Sequence, residues 1–231
     1  MTKLDTDFYF RNKKKFLKEH RAIMKLGRGF MEASLGREKA DDVVRRSEVR
    51  YEALLTEMPY IGGWDNPHTD TLTQVGSFLA LYFVLKEEGK TTEEIGALIH
   101  RISERKVETM PRFLRNLLGW LYMSEFWRKR TQRKALPSRQ KEYAGNFVYE
   151  VMDGKPGEYE WGINYLECAI VKFFHRQGAD DLTSYMCYVD YILFPGMGID
   201  LKRTGTIGQG CSHCDFRFSR IKMQVQKGSP Q

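Results

Sequence analysis

Apolar and polar residues follow one period in the first part of this 231-residue chain and another after Ser138. Helical spacing predicts helices over Phe8 to Leu35 and Lys39 to Met58; in the second, Val44, Tyr51, Leu55 and Met58 fall at i, i+7, i+11 and i+14, a single buried stripe. Gly36 separates the two. Glycines and prolines make Pro59 to Pro67 a loop, and Leu72 to Glu88, apolar nearly all round, is expected at the centre of the core. Gly89 ends that helix. Thr91 and Glu94 have the spacing of a capping box, opening a helix on which Ile95, Leu98, Ile99 and Ile102 share one face. Pro111 and Pro137 bound a further, mainly helical stretch that is basic and rich in tryptophan.

Beyond Ser138 the alternation shortens. Phe147 to Met152 and Glu158 to Trp161 flank Asp153-Gly-Lys-Pro-Gly157 and read as strand, turn, strand. A helix is predicted from Ile163 to Gln177, stopped by Gly178, and another from about Leu182 to Leu193, broken by Pro195-Gly196. Strands Ile199 to Ile207 and Cys214 to Ile221 follow. The fold class is therefore α+β: a helical N-terminal half, then a small antiparallel module ordered strand, strand, helix, helix, strand, strand. Its expected bounds are residues 1–138 for the helical region and 139–223 for the module, packed as one compact unit, with 224–231 a disordered tail.

Composition narrows the function classes. Hydrophobic residues make up 42% of the chain and aromatic ones 13%, which excludes a disordered protein. No run approaches the roughly 18 apolar residues of a membrane span, and the N-terminus lacks the order of a signal peptide, so a cytoplasmic protein without a membrane partner is the default expectation. The net charge of +7 is uneven: Met1 to Arg28 carries nine Lys/Arg against three Asp/Glu, and Arg112 to Glu142 nine against two. Such strips suit nucleic acid or acidic surfaces, but long helices solvate their outer faces in the same way, and no nucleic-acid fold pattern accompanies them, so nucleic acid is disfavoured as a partner.

The four cysteines, Cys168, Cys187, Cys211 and Cys214, all lie in the last third and are expected as free thiols. Cys187 and Asp190, spaced i and i+3, share a helix face, where a carboxylate can act as base and a thiol as nucleophile. Glu167, next to Cys168, should face solvent or meet Arg203 or Arg217, because an unpaired buried carboxylate is costly. Cys211 and Cys214 flank His213 in a C-x-x-C pair, which is half a zinc site without a conventional second half; no metal and no cofactor are expected. A thiol activated by His213, Arg203 or Arg217 is the sharper expectation.

Glu167-Cys168, Cys187-Tyr-Val-Asp190, Arg203-Thr-Gly-Thr206 and Cys214-Asp-Phe-Arg-Phe218 stand in an order and spacing that resemble the L-2-amino-thiazoline-4-carboxylic acid hydrolase family over about Pro59 to Phe218. More distantly, the closing strands resemble ligand-binding domains related to vinyl reductases. The first resemblance implies hydrolytic opening of a small anionic cyclic amidine at a C–S or C–N bond. It implies Cys214 or Cys187 as nucleophile, or as polar wall if water attacks, and Glu167 or Asp190 as base or amidinium partner. Arg203 or Arg217 would clamp the substrate carboxylate, with Thr204, Thr206 and His213 around it. The second implies binding without turnover. Glu167, Cys187, Asp190, Arg203 and Cys214 are expected around one cavity; a homo-oligomer is left open.

Overall fold

The computed structural model describes residues 8–221, so the expected tail at 224–231 lies outside the described residues. Helices α1 (Lys13–Leu35), α2 (Arg37–Glu57), α3 (Thr69–Glu87) and α4 (Thr92–Thr109) form the first layer. The expected helix from Phe8 is interrupted at Asn12, whose side-chain amide turns back to the Phe8 carbonyl. Gly36, at φ 83°, divides α1 from α2, a left-handed position that glycine occupies without steric penalty. Both halves of the capping box form, the Thr91 hydroxyl accepting from Glu94 N–H and the Glu94 carboxylate from Thr91 N–H. Helix α3, buried on nearly every side, packs against α2 and α4 as the core of this layer.

Helices α5 (Arg112–Tyr122) and α6 (Glu125–Arg139) are divided at Met123-Ser124, where the Ser124 hydroxyl caps α6. Pro137, expected as a boundary, lies inside the last turn of α6. Strands β1 (Val148–Lys155), β2 (Tyr159–Glu167), β3 (Ile199–Lys202) and β4 (Cys214–Arg220) make one antiparallel sheet in the order β1-β2-β4-β3. Cross-strand partners share a face, so the pairs Trp161 with Phe218, Ile163 with Phe216 and Tyr165 with Cys214 turn together toward the helices.

The predicted helix from Ile163 is the largest departure. Residues 163–167 are the second half of β2, and α7 runs only over Ala169–Arg176. Ile163 and Tyr165 alternate with Asn164 and Leu166, a period of two, and β2 is paired on both edges, which outweighs the local helical reading. The next predicted helix is in two pieces, α8 (Thr183–Tyr188) and α9 (Asp190–Gly196). They meet at Val189, where an i to i−3 bond from Val189 N–H to the Met186 carbonyl tightens the turn. Pro195-Gly196 closes α9 from within instead of following it. Strand β3 stops at Lys202, well short of Ile207, because the Asp215 carboxylate takes the Thr204 and Gly205 amide protons that a ladder would otherwise use.

Candidate active-site cavity

One face of the sheet and the helical layer line a cavity of about 370 Å³. Four elements of the module bring chemistry to it. Cys187 lies in the last turn of α8 and Asp190 begins α9, so the tight joint at Val189 presents both to the same space. Cys214 enters from the first residue of β4, and Arg203 from the loop after β3. Two close approaches fix these parts. A Cβ on Gly96 would stand 2.1 Å from the Tyr185 ring, so only glycine lets α8 lie flat on α4; a Cβ on Gly208 would meet Thr183 at 2.6 Å and the Cys187 sulfur at 3.3 Å.

Arg203 and Asp190 form an ion pair in which the carboxylate is one third exposed, Nη1 donating to Oδ2 at 2.9 Å, while Nη2 donates to the Cys187 carbonyl at 2.7 Å. The Arg203 side chain is only 4% exposed. Its guanidinium lies against the rings of Tyr191 and Phe216, at 4.9 and 4.8 Å. Burial pushes the Asp190 carboxyl up to about 6, against the opposing pull of Arg203. Near neutrality it is mostly ionised and able to take a proton. The thiols behave differently. Burial pushes Cys187 up to about 11 and raises Cys214, although Ile207 N–H donates to the Cys214 sulfur at 3.2 Å. Cys168, the residue before α7, also lines the cavity and is pushed up to about 12 by burial. These thiols rest protonated at neutral pH.

The remaining expected residues stand elsewhere. Glu167 is the last residue of β2, outside the cavity, and its partners are Lys141 and Lys172, not Arg203 or Arg217. Arg217 is three residues from Cys214 on one strand, and alternation therefore puts it on the opposite face, over the Tyr159 ring at 5.3 Å. Thr204 is held by Asp215, its hydroxyl donating at 2.8 Å. His213 hydrogen-bonds Ser212 at 3.0 Å, and neither it nor Thr204 lines the cavity. Thr206 is buried behind the wall, its hydroxyl bonded to Gln209 at 3.1 Å. The C-x-x-C cysteines diverge, Cys211 exposed and Cys214 buried, and all four thiols are free. Among the described residues, no group of three or more His, Cys, Asp and Glu is arranged to hold a metal ion.

The helical layer supplies groups the sequence reading overlooked. His68, just before α3, lines the cavity with its Nε2 buried and without a hydrogen-bond partner, its ring packed against Phe147 at 4.6 Å. Burial lowers it to about 4, so it is a neutral imidazole. Lys106 on α4 also lines the cavity; the Gln74 amide oxygen accepts from its ammonium at 2.6 Å, and burial lowers its pKa. No motif marks either residue. The available signal was positional: Lys106 falls four residues after Ile102 on the stripe that the helix buries.

Among the described residues, no helix is long and apolar enough to cross a membrane. No match to a curated protein or to a solved structure was found. A family model described as L-2-amino-thiazoline-4-carboxylic acid hydrolase matches residues 71–218, from α3 to the centre of β4, and so takes in Lys106 and every cavity residue of the module. With well over half its length matched, from the central helix to the closing strand, the chain belongs to the L-2-amino-thiazoline-4-carboxylic acid hydrolase family.

Proposed function

We propose that the cavity hydrolyses a small cyclic amidine carrying a carboxylate, with Asp190 as the general base. The observation that carries this reading is the Asp190–Arg203 pair, a carboxyl poised near 6 at the wall of the cavity. A base with that pKa is ionised at neutral pH and still accepts a proton readily. Asp190 draws a proton from water as its oxygen bonds to the amidine carbon. The C–S or C–N bond to that carbon then breaks, and the departing sulfur or nitrogen takes the proton back from Asp190. Arg203 keeps Asp190 oriented and ionised. Its remaining N–H edge, together with Lys106, meets the substrate carboxylate. Because their thiolates are disfavoured, Cys187 and Cys214 serve as a weakly polar wall and not as nucleophiles.

The test is ring opening of 2-amino-thiazoline-4-carboxylate by the full chain and by Asp190→Asn. Release of a carbamoyl thiol product by the unaltered protein, lost in the variant, supports hydrolysis. Ligand recovered unchanged after hours with the unaltered protein favours binding without turnover.

A further inference from the structure

The cavity is larger and more apolar than the ring that names the family. That ring has roughly nine non-hydrogen atoms, and even at about 30 Å³ each, the share of a water molecule in the liquid, it fills only about 270 Å³. The cavity measures about 370 Å³. Its charged groups and thiols stand apart from one another, Asp190 with Arg203 and the thiols on the module side, Lys106 with its partner Gln74 on the helical side; His68 and the hydroxyl-bearing Thr71, Ser103, Tyr122, Thr131 and Tyr165 also line it. Phe78, Ile102, Trp127, Phe147, Ile170 and Leu193 are among the residues that complete the wall. None of these side chains can hydrogen-bond a five-membered polar ring except through the Trp127 indole N–H. Apolar walls of this extent bind an apolar body in preference to water.

Resting on the hydrolytic reading of the same site, we infer that the substrate class is a cyclic amidine acid bearing an apolar arm of about four or more carbons, aryl or branched alkyl. The reacting ring lies against Asp190 and Arg203, and the arm runs along the apolar wall.

The experiment compares 2-amino-thiazoline-4-carboxylate with its 5-methyl, 5-butyl and 5-phenyl derivatives, measuring kcat/KM for ring opening and, separately, equilibrium binding by calorimetry. Each buried methylene is expected to gain about three- to fourfold, giving on the order of a hundredfold for the butyl arm. Val171→Phe on α7 and Thr131→Phe on α6 narrow the cavity from two different elements. In whichever variant folds, the ratio of butyl to unsubstituted kcat/KM should fall at least tenfold. An unsubstituted ring that is turned over as well as the butyl ring, or better, overturns the size inference and leaves hydrolysis standing. Butyl and phenyl rings that bind a hundredfold tighter but stay intact support the size inference and overturn hydrolysis. Arm-bearing rings that bind no tighter than the parent overturn the inference whether or not turnover is seen.

Discussion

The two walls of the cavity differ in how their polar groups are satisfied. On the module wall, Asp190, the Cys187 carbonyl and two Arg203 N–H groups satisfy one another, and two aromatic rings lie against the guanidinium. On the helical wall, His68 presents a ring nitrogen with no partner, and Lys106 is held by a neutral amide in place of a carboxylate. A closed network holds its geometry before substrate arrives, which suits the groups that move protons. An open one leaves hydrogen-bonding capacity for a ligand, which suits recognition. Asp190 is thus expected to set kcat and the helical wall KM, with Arg203, which both orients Asp190 and meets the substrate carboxylate, acting on each.

Breaking the module wall should produce the largest effect. Asp190→Asn is expected to lower kcat by about 10²- to 10⁴-fold, the usual worth of a general base, with a smaller change in KM. A variant that loses affinity but keeps kcat would move Asp190 to recognition. Arg203→Lys keeps a positive charge but loses the planar fork, at a cost of about 1–3 kcal/mol, or tenfold to a hundredfold in kcat/KM. Lys202→Arg, one residue earlier and exposed, should stay within about twofold, since it lies on the other side of the strand end. Equal losses in both would show that only general positive charge matters.

The helical wall is broken at Lys106. Lys106→Met preserves the length and apolar stem of the side chain and should raise KM about tenfold or more for a carboxylate-bearing ring. Turnover at saturation should change little. A fall confined to kcat would erase the distinction between the walls.

The two walls also respond to acid with opposite signs. His68, and His20 deeper in the helical layer, are both lowered by burial to about 4 from an ordinary 6.5. Between those values the folded state binds fewer protons than the unfolded one, so their contribution is lost as pH falls from about 6.5 to 4. Asp190, raised to about 6 from an ordinary 3.8, binds more protons when folded, and its contribution shrinks as pH rises through about 4 to 6. His68→Phe, which keeps an aromatic ring against Phe147, should therefore reduce the acid-side fall in unfolding free energy, by at most about 3 kcal/mol. An unchanged acid limb would mean that His68 titrates normally.

The smallest effect is expected at Glu167. Its pairs with Lys141 and Lys172 lie near the surface, so Glu167→Gln should change stability by less than about 1 kcal/mol and leave kinetics unaltered.

Much of this layout was legible in the chain. The helical boundaries at Gly36 and Gly89, the capping box at Thr91 and the strand at Cys214 follow from local spacing and turn chemistry, and the structure places each near its expected position. Cys187 and Asp190 were readable as neighbours because i, i+3 geometry survives the joint at Val189. The stretch at Ile163 was misread because its strand character depends on pairing with β1 and β4, which a local window does not see. The error carried Glu167 into a helix it never enters. Arg217 was misplaced for a different reason, since alternation along β4 already separates it from Cys214. His68 and Lys106 escaped notice because their role depends on which helices face the sheet, a long-range fact that no motif encodes.

The pH dependence of kcat/KM for ring opening tests the base assignment most directly, measured from pH 5 to 9 for the unaltered chain and Asp190→Asn. The account predicts a rise through about pH 6 to a plateau, and a profile in the variant that is far lower and lacks that limb. A rate that instead climbs about tenfold per unit up to pH 9, as a thiolate formed from a buried cysteine would give, or a limb near 6 that persists in Asp190→Asn, would contradict it.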